Sequence, residues 1–240
     1  LCYDGRVWRT AHSLCTEVIT VKAGMTMTEQ SEQLKVGDQA VSGSWLIPPR
    51  VDAVLTLAHG AGAGMHHPFL KGLAHELALH QMASLRFNFL YMEKGSKRPD
   101  LPARAHAVIE AAVKAAATAF PDKPLFLSGK SFGGRMSSQW LAAHSDSAVK
   151  GIIFFGFPLH PPGKPATDRA DHLKRISRPM LFLQGTRDEF ATCHLLNSVI
   201  QHLPQATVEW FEGADHSFKA GKKNLLPDLA AVTAQWLAKI

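Results

Sequence analysis

Apolar and polar positions follow two alternating patterns along the chain. Almost continuously apolar runs of five to eight residues are typical of strands buried on both faces of a sheet. Between them lie longer segments whose apolar residues recur every three or four positions, as in helices. The predicted strands are 51–58, 84–91, 124–128, 149–155, 179–183 and 207–211. The predicted helices are 68–80, 101–120, 132–144, 191–202 and 225–239.

This alternation predicts an α/β fold, a mostly parallel sheet with helices on both faces. Residues 39–47 are expected to add a strand or hairpin at the sheet edge. Residues 31–240 are predicted to form a single domain, a length that suits one core. Residues 1–30 lack periodicity and are expected to be a disordered extension or part of a mis-assigned start. In the latter case the native protein begins at Met25 or Met27 and residues 1–24 do not belong to it.

Composition narrows the class of protein. With 46% hydrophobic and 19% charged residues, the composition is typical of globular proteins. The sequence shows neither an apolar run long enough to span a membrane nor a signal peptide, so no association with a membrane is expected. Of the cysteines Cys2, Cys15 and Cys193, only the last lies in the predicted domain, which favours a reducing cytoplasm. The net charge of +6 is spread over scattered Lys and Arg residues, so no nucleic-acid partner is expected. Nothing in the sequence fixes an oligomeric state.

The segment Gly129-Lys-Ser131-Phe-Gly133 matches the G-x-S-x-G pattern. It follows a predicted strand and opens a predicted helix, which is the context that this pattern requires. The sharp turn raises the serine hydroxyl above the sheet, and its crowded neighbours need to be glycine. Ser131 is therefore the predicted nucleophile.

A serine nucleophile needs a base, and the base needs an acid that orients it. Asp188 follows the strand 179–183, and His216 follows the final strand. Both lie at the sheet edge that holds Ser131, in the chain order Ser, Asp, His. Glu189 and Asp215 are alternative acids, although Asp215 is adjacent to His216 and poorly placed to reach its Nδ1.

Backbone amides are expected to form the oxyanion hole. One belongs to Phe132, directly after the nucleophile. The other is assigned to Ala61 in the glycine-rich segment 59–64, which follows the strand 51–58.

Two patterns resemble cofactor sites without meeting their requirements. Gly129-Lys-Ser131 resembles the end of a P-loop, but Pro124 stands where the first glycine is needed. His75 and His80 are five residues apart, so they lie about 140° apart on a helix and cannot share a metal as an i, i+4 pair does. No cofactor or metal is predicted.

Four segments together resemble the small dienelactone-hydrolase-like α/β-hydrolases. The likeness spans about residues 34–240 and is greatest to the subfamily with a subunit of the non-specific-lethal histone acetyltransferase complex and bacterial members. The segments are His-Gly-Ala-Gly-Ala-Gly (59–64), Gly-Lys-Ser-Phe-Gly-Gly-Arg (129–135), Gly-Thr-Arg-Asp (185–188) and Asp-His-Ser-Phe (215–218).

The resemblance implies the α/β-hydrolase fold and a triad of Ser131, Asp188 and His216. It implies no substrate. Dienelactone hydrolase itself has a cysteine nucleophile where this chain has serine, so dienelactone is not the substrate expected.

These observations predict a carboxylesterase-like serine hydrolase that cleaves a small-molecule ester or thioester through an acyl-serine. Residues 156–177 are too few for a full cap domain, and Met65, Phe132 and Phe157 are expected to line a shallow pocket for a small acyl group. A peptidase or acyltransferase would need a gating domain or an acceptor site, and neither is visible. The alternative from another class is a non-catalytic binding or scaffold protein with the same fold.

Overall fold

The computed structural model describes residues 16–20 and 26–240, and within them the strands form one nine-stranded sheet. The strands are β1 Thr16–Thr20, β2 Thr26–Val36, β3 Gln39–Ile47, β4 Ala53–Ala58, β5 Met82–Phe87, β6 Leu125–Lys130, β7 Val149–Phe155, β8 Met180–Gly185 and β9 Ala206–Phe211. Their order in the sheet is β1-β2-β3-β5-β4-β6-β7-β8-β9. The six strands from β5 to β9 in that order run parallel, and β1, β2 and β3 extend the sheet as antiparallel neighbours.

Helices cover both faces of the sheet and enclose two hydrophobic clusters. The helices are α1 Pro68–Leu79, α2 Leu90–Glu93, α3 Pro102–Ala119, α4 Phe132–Ala143, α5 Cys193–Ile200 and α6 Leu226–Leu237. One cluster contains buried residues of α3, α4 and α5, and the other those of α1 and α6. A 3-10 helix, Asp168–Arg175, lies between β7 and β8.

The central strands are mainly apolar on both faces because they supply both clusters. In β8, Met180 and Phe182 belong to the cluster under α3 and α4, whereas Leu181 and Leu183 belong to the cluster under α1 and α6. Successive side chains of a strand point to opposite faces, so a strand covered on both sides has no polar face. The predicted parallel sheet with helices on both faces is confirmed, and the segment between β7 and β8 carries only the 3-10 helix rather than a cap domain.

The predicted strand 84–91 was wrong at its end. β5 stops at Phe87, and the next residues turn into the short helix α2. Phe89 donates its amide to the ring of His59 at 3.2 Å, and the Tyr91 amide donates to Asp100 Oδ2 at 3.0 Å. Phe89, Leu90 and Tyr91 are all buried and therefore apolar, so the sequence after β5 looks like a continuation of the strand.

Part of the segment 1–30 lies in the sheet. Residues 26–30 belong to β2, and β1 pairs with β2. Glu29 of β2 forms an ion pair with the buried Arg86 of β5. The predictions for residues 1–15 and 21–25, including a start at Met25, lie outside the described residues. In the described part of the chain, no helix has the length and apolar character needed to cross a membrane.

Candidate active site

Ser131 occupies a strained turn between β6 and α4. Its backbone has φ 50° and ψ −115°, a combination that L-residues rarely adopt. A Cβ atom on Gly133 would lie 2.5 Å from the carbonyl oxygen of Ala58, and one on Gly129 would lie 2.5 Å from the amide nitrogen of Gly134. Both glycines are therefore required by the close approach of strand, turn and helix. We call residues 129–133 the nucleophile turn.

The structure brings Ser131, His216 and Asp188 into one hydrogen-bonded chain. Nε2 of His216 lies 2.8 Å from Ser131 Oγ, and Nδ1 of the same ring lies 2.7 Å from Asp188 Oδ2. The three residues follow β6, β9 and β8, whose carboxyl ends meet at one edge of the parallel sheet. This geometry favours the tautomer with hydrogen on Nδ1, which leaves Nε2 free to accept the serine proton.

Asp188 is held by two further donors. Gln184 Nε2 donates to Oδ2 at 2.6 Å, and the amide of Phe190 donates to Oδ1 at 2.8 Å. The alternative acids have other positions. Asp215 Oδ1 accepts from the amides of its own turn, and Glu189 is exposed.

Burial and charge together determine the proton affinity of His216. Burial lowers the pKa of its imidazole, and the positive charge of Lys130 lowers it further. The hydrogen bond to Asp188, the charge of Asp188 and the charge of Asp215 act in the opposite direction. Because the net shift is downward, the imidazole is in its neutral, proton-accepting form at neutral pH.

The loop after β4, residues 59–65, lies beside Ser131 and contains the predicted oxyanion donor Ala61, and we call it the oxyanion loop. A Cβ on Gly60 would lie 3.7 Å from Ser131 Cβ. Gly62 donates its amide to Tyr91 Oη at 3.0 Å, and Met65 donates its amide to Asn88 Oδ1 at 2.8 Å. Within the described residues the Ala61 amide donates to no group, so it is available to a ligand.

The second predicted donor, Phe132, is the first residue of α4. Amides in the first turn of a helix have no intrahelical acceptor, so this one is also available. The positive end of the helix dipole adds to the attraction for a developing negative charge.

The His59 side chain connects the oxyanion loop to the segment that follows β5. Its Nδ1 lies 2.7 Å from the carbonyl oxygen of Gly60, and its Nε2 accepts the amide of Phe89. Nδ1 must therefore carry the hydrogen. Burial lowers the pKa of His59 to about 4, which keeps the ring neutral.

Two of the three residues predicted to line a substrate pocket, Met65 and Phe157, lie in the interior. Phe157 has no exposed surface, because Gln184 accepts its amide at 2.8 Å and its ring packs against Phe154 and Phe182. Met65 is also buried. A lining role for Phe157 would require its ring to move. Phe190 is half-buried, and its ring centroid lies 4.2 Å from that of His216, so it presents an aromatic surface beside that residue.

Three polar residues of the site were missed by sequence reasoning. Gln184 and Lys130 are polar side chains at the ends of buried, apolar strands, and that interruption is a signal that could have identified them. Tyr91 gave no comparable signal, because it ends an apolar run that predicted a strand.

Comparison with known proteins agrees with this architecture. The model of the family described as "Alpha/beta hydrolase domain" matches residues 51–235. Three solved structures share the fold at low identity. Dienelactone hydrolase from Anabaena variabilis is 16% identical, covers 89% of this chain and 98% of its own, and has a TM-score of 0.73. A serine hydrolase without lid from Xanthomonas campestris is 20% identical, with coverages of 88% and 94% and a TM-score of 0.69.

A PEG-bound cold-adapted esterase from an Arctic intertidal metagenomic library is 17% identical, with coverages of 100% and 99% and a TM-score of 0.65. At these identities each likeness establishes the fold alone. The family match covers most of the chain and the fold agrees with it, so this chain belongs to the alpha/beta hydrolase domain family.

Proposed function

We propose that the protein is a carboxylesterase-like serine hydrolase that cleaves a small carboxylic ester or thioester through an acyl-serine intermediate. The observation that carries the proposal is the hydrogen-bonded chain from Asp188 through His216 to Ser131 at a strained turn. A buried acid, a neutral imidazole and a serine hydroxyl in this order provide a nucleophile at neutral pH.

The reaction follows from these positions. His216 Nε2 takes the proton of Ser131 as Oγ attacks the carbonyl carbon, and Asp188 stabilises the imidazolium that results. The amides of Ala61 and Phe132 donate to the oxygen that becomes negative. His216 then gives its proton to the departing alcohol or thiol. In the second half it activates a water molecule, which hydrolyses the acyl-serine and restores Ser131.

The short segment between β7 and β8 supports a small or accessible acyl group. It holds one 3-10 helix where a cap would close over a long acyl chain. We therefore expect acetyl and butyryl esters to react faster than long-chain esters. The Xanthomonas relative described as lacking a lid has the same fold. Faster turnover of long-chain esters would contradict this part of the proposal.

Labelling by a fluorophosphonate probe tests the nucleophile, with p-nitrophenyl acetate and butyrate as substrates in parallel. The wild type should be labelled and turn over both esters, and Ser131→Ala should do neither while unfolding at the same temperature. Ser217→Ala is the matched control, because it removes an exposed hydroxyl next to His216. A folded wild type that is neither labelled nor active would favour the binding or scaffold protein instead.

A further inference from the structure

Lys130 is a buried cation directly before the nucleophile. The residue is 9% exposed, and its Nζ donates a hydrogen bond of 2.6 Å to the backbone carbonyl of His216. The ammonium group also lies 6.0 Å from the ring centroid of Phe69 and 5.6 Å from that of Phe218. A lysine is rarely buried to this extent without a specific set of partners.

The hydrogen bond connects the segment that carries Ser131 to the loop that carries His216, and the proposed reaction requires these two side chains to keep their relative position. Lys130 and Ser131 are consecutive, and His216 lies on the loop 213–219, which we call the histidine loop. Asp215 closes this loop by accepting the amides of Ser217 and Lys219 at 2.8 and 2.9 Å. Lys130 therefore ties the backbone of the base to the strand that carries the nucleophile.

We propose that Lys130 is a positioning residue that fixes His216 against Ser131 and, through its charge, keeps the imidazole free of a proton. This inference rests on the proposed function, in which His216 acts as the base. It adds a role for a residue that the hydrolytic mechanism above does not use.

The electrostatic part follows from the groups that act on the imidazole. Asp188 and Asp215 favour the protonated ring, and Lys130 is the cation that opposes them. Burial lowers the pKa of Lys130 itself to about 8, against the raising effect of the same two carboxylates, so it remains mainly charged at neutral pH. Without this charge, the two carboxylates would raise the pKa of His216, and the ring would bind a proton at a higher pH.

A purely structural lysine would behave differently. If Lys130 only filled space between Phe69 and Phe218, a methionine of similar length would preserve the site. Lys130→Met keeps the unbranched side chain and removes both the charge and the donor. Lys130→Arg keeps the charge. Lys150→Met is the matched control, because it removes an exposed lysine of β7 and changes the net charge equally.

The test measures the titration of the His216 ring by NMR and the pH dependence of kcat/KM for p-nitrophenyl butyrate. His216→Gln identifies the ring signal among the histidines. In Lys130→Met we expect the titration midpoint and the acidic limb of kcat/KM to move together to higher pH. We also expect kcat to fall about tenfold to a hundredfold, because the base is less well held. Lys130→Arg and Lys150→Met should keep the wild-type midpoint.

Two results would overturn the proposal. One is a folded Lys130→Met with the midpoint and kcat of the wild type; the other is the same shift in Lys150→Met or Lys130→Arg. If Lys130→Met does not fold, Lys130→Gln replaces it as the neutral variant. A wild type without esterase turnover would refute the proposed function, yet the NMR midpoint would still decide whether Lys130 controls the proton on His216.

Discussion

Gln184 and His216 share one oxygen of Asp188. The carboxamide Nε2 lies 2.6 Å from Oδ2, and the imidazole Nδ1 lies 2.7 Å from the same atom. The other end of the carboxamide accepts the amide of Phe157 at 2.8 Å. Since both Gln184 and Asp188 are buried, this arrangement fixes the rotamer of the acid and thereby the plane of the imidazole.

Replacing Gln184 with methionine should weaken both the fold and the reaction. The amide of Phe157 would be buried without an acceptor, which costs about 1–3 kcal/mol of unfolding free energy. The released carboxylate should lower kcat for p-nitrophenyl butyrate about tenfold, with KM changed little. Gln201→Met, at an exposed position after α5, is the control. A variant with the stability loss but an unchanged kcat would limit Gln184 to a structural role.

Tyr91→Phe tests the support of the oxyanion loop. The hydroxyl accepts the Gly62 amide at 3.0 Å, and the ring packs against Phe89 and Phe132, so phenylalanine keeps the packing and removes only the acceptor. We expect kcat to fall about threefold to tenfold with little change in KM, because the Ala61 amide is then held less firmly. Steady-state kinetics provide the measurement.

Ser198→Ala is the control for that substitution. It removes a hydroxyl that bonds to the Leu195 carbonyl on α5, away from the nucleophile turn. If Tyr91→Phe raised KM and left kcat intact, the hydroxyl would serve ground-state binding instead of the oxyanion.

The sequence was sufficient to predict that Ser131, Asp188 and His216 would meet. Each follows a different strand of a parallel sheet, and the carboxyl ends of such strands share one edge. The roles of Gln184 and Lys130 could not be predicted in the same way. They depend on which neighbouring loop each side chain reaches, and that distance is set by tertiary packing.

Phe157 and Tyr91 illustrate the same limit. Phe157 follows a strand at the active edge, and its position alone favoured a lining role. Its amide donates a hydrogen bond to Gln184, and its ring is buried in the core. Tyr91 lies at the end of an apolar run that begins in β5 and continues through a loop into the short helix α2. Hydrophobicity alone does not distinguish a buried loop or helix of this length from a buried strand.

Gly133→Ala should destabilise the protein by at least about 2 kcal/mol, because the new methyl group would overlap the Ala58 carbonyl and force the turn away from β4. Gly163→Ala is the control. Its position has open space around it and a φ of +69°, so only backbone strain of about 1 kcal/mol is expected. Urea unfolding of both variants gives the comparison. Equal losses would show that the close approach at Gly133 relaxes without cost.

The free energy of unfolding should fall as the pH is lowered from about 6.5 to about 4. Burial lowers the pKa of His59 to about 4 in the folded chain from its ordinary value of 6.5, so in this interval the unfolded chain binds a proton that the folded chain does not. One such proton contributes a slope of at most about 1.4 kcal/mol per pH unit. His172, whose pKa is also lowered to about 4 by burial, adds to it.

His59→Asn isolates the contribution of the buried ring. The variant should be less stable than the wild type at neutral pH, because it lacks the hydrogen bonds of His59 to Gly60 and Phe89. That difference should narrow as the pH falls. Only the wild type has a ring at position 59 that takes up a proton on unfolding, so only the wild type loses this part of its stability. His194→Gln, which removes an exposed histidine of α5, is the control. Urea unfolding across this pH interval measures the difference, and a gap that stays constant would place the proton uptake at residues other than His59.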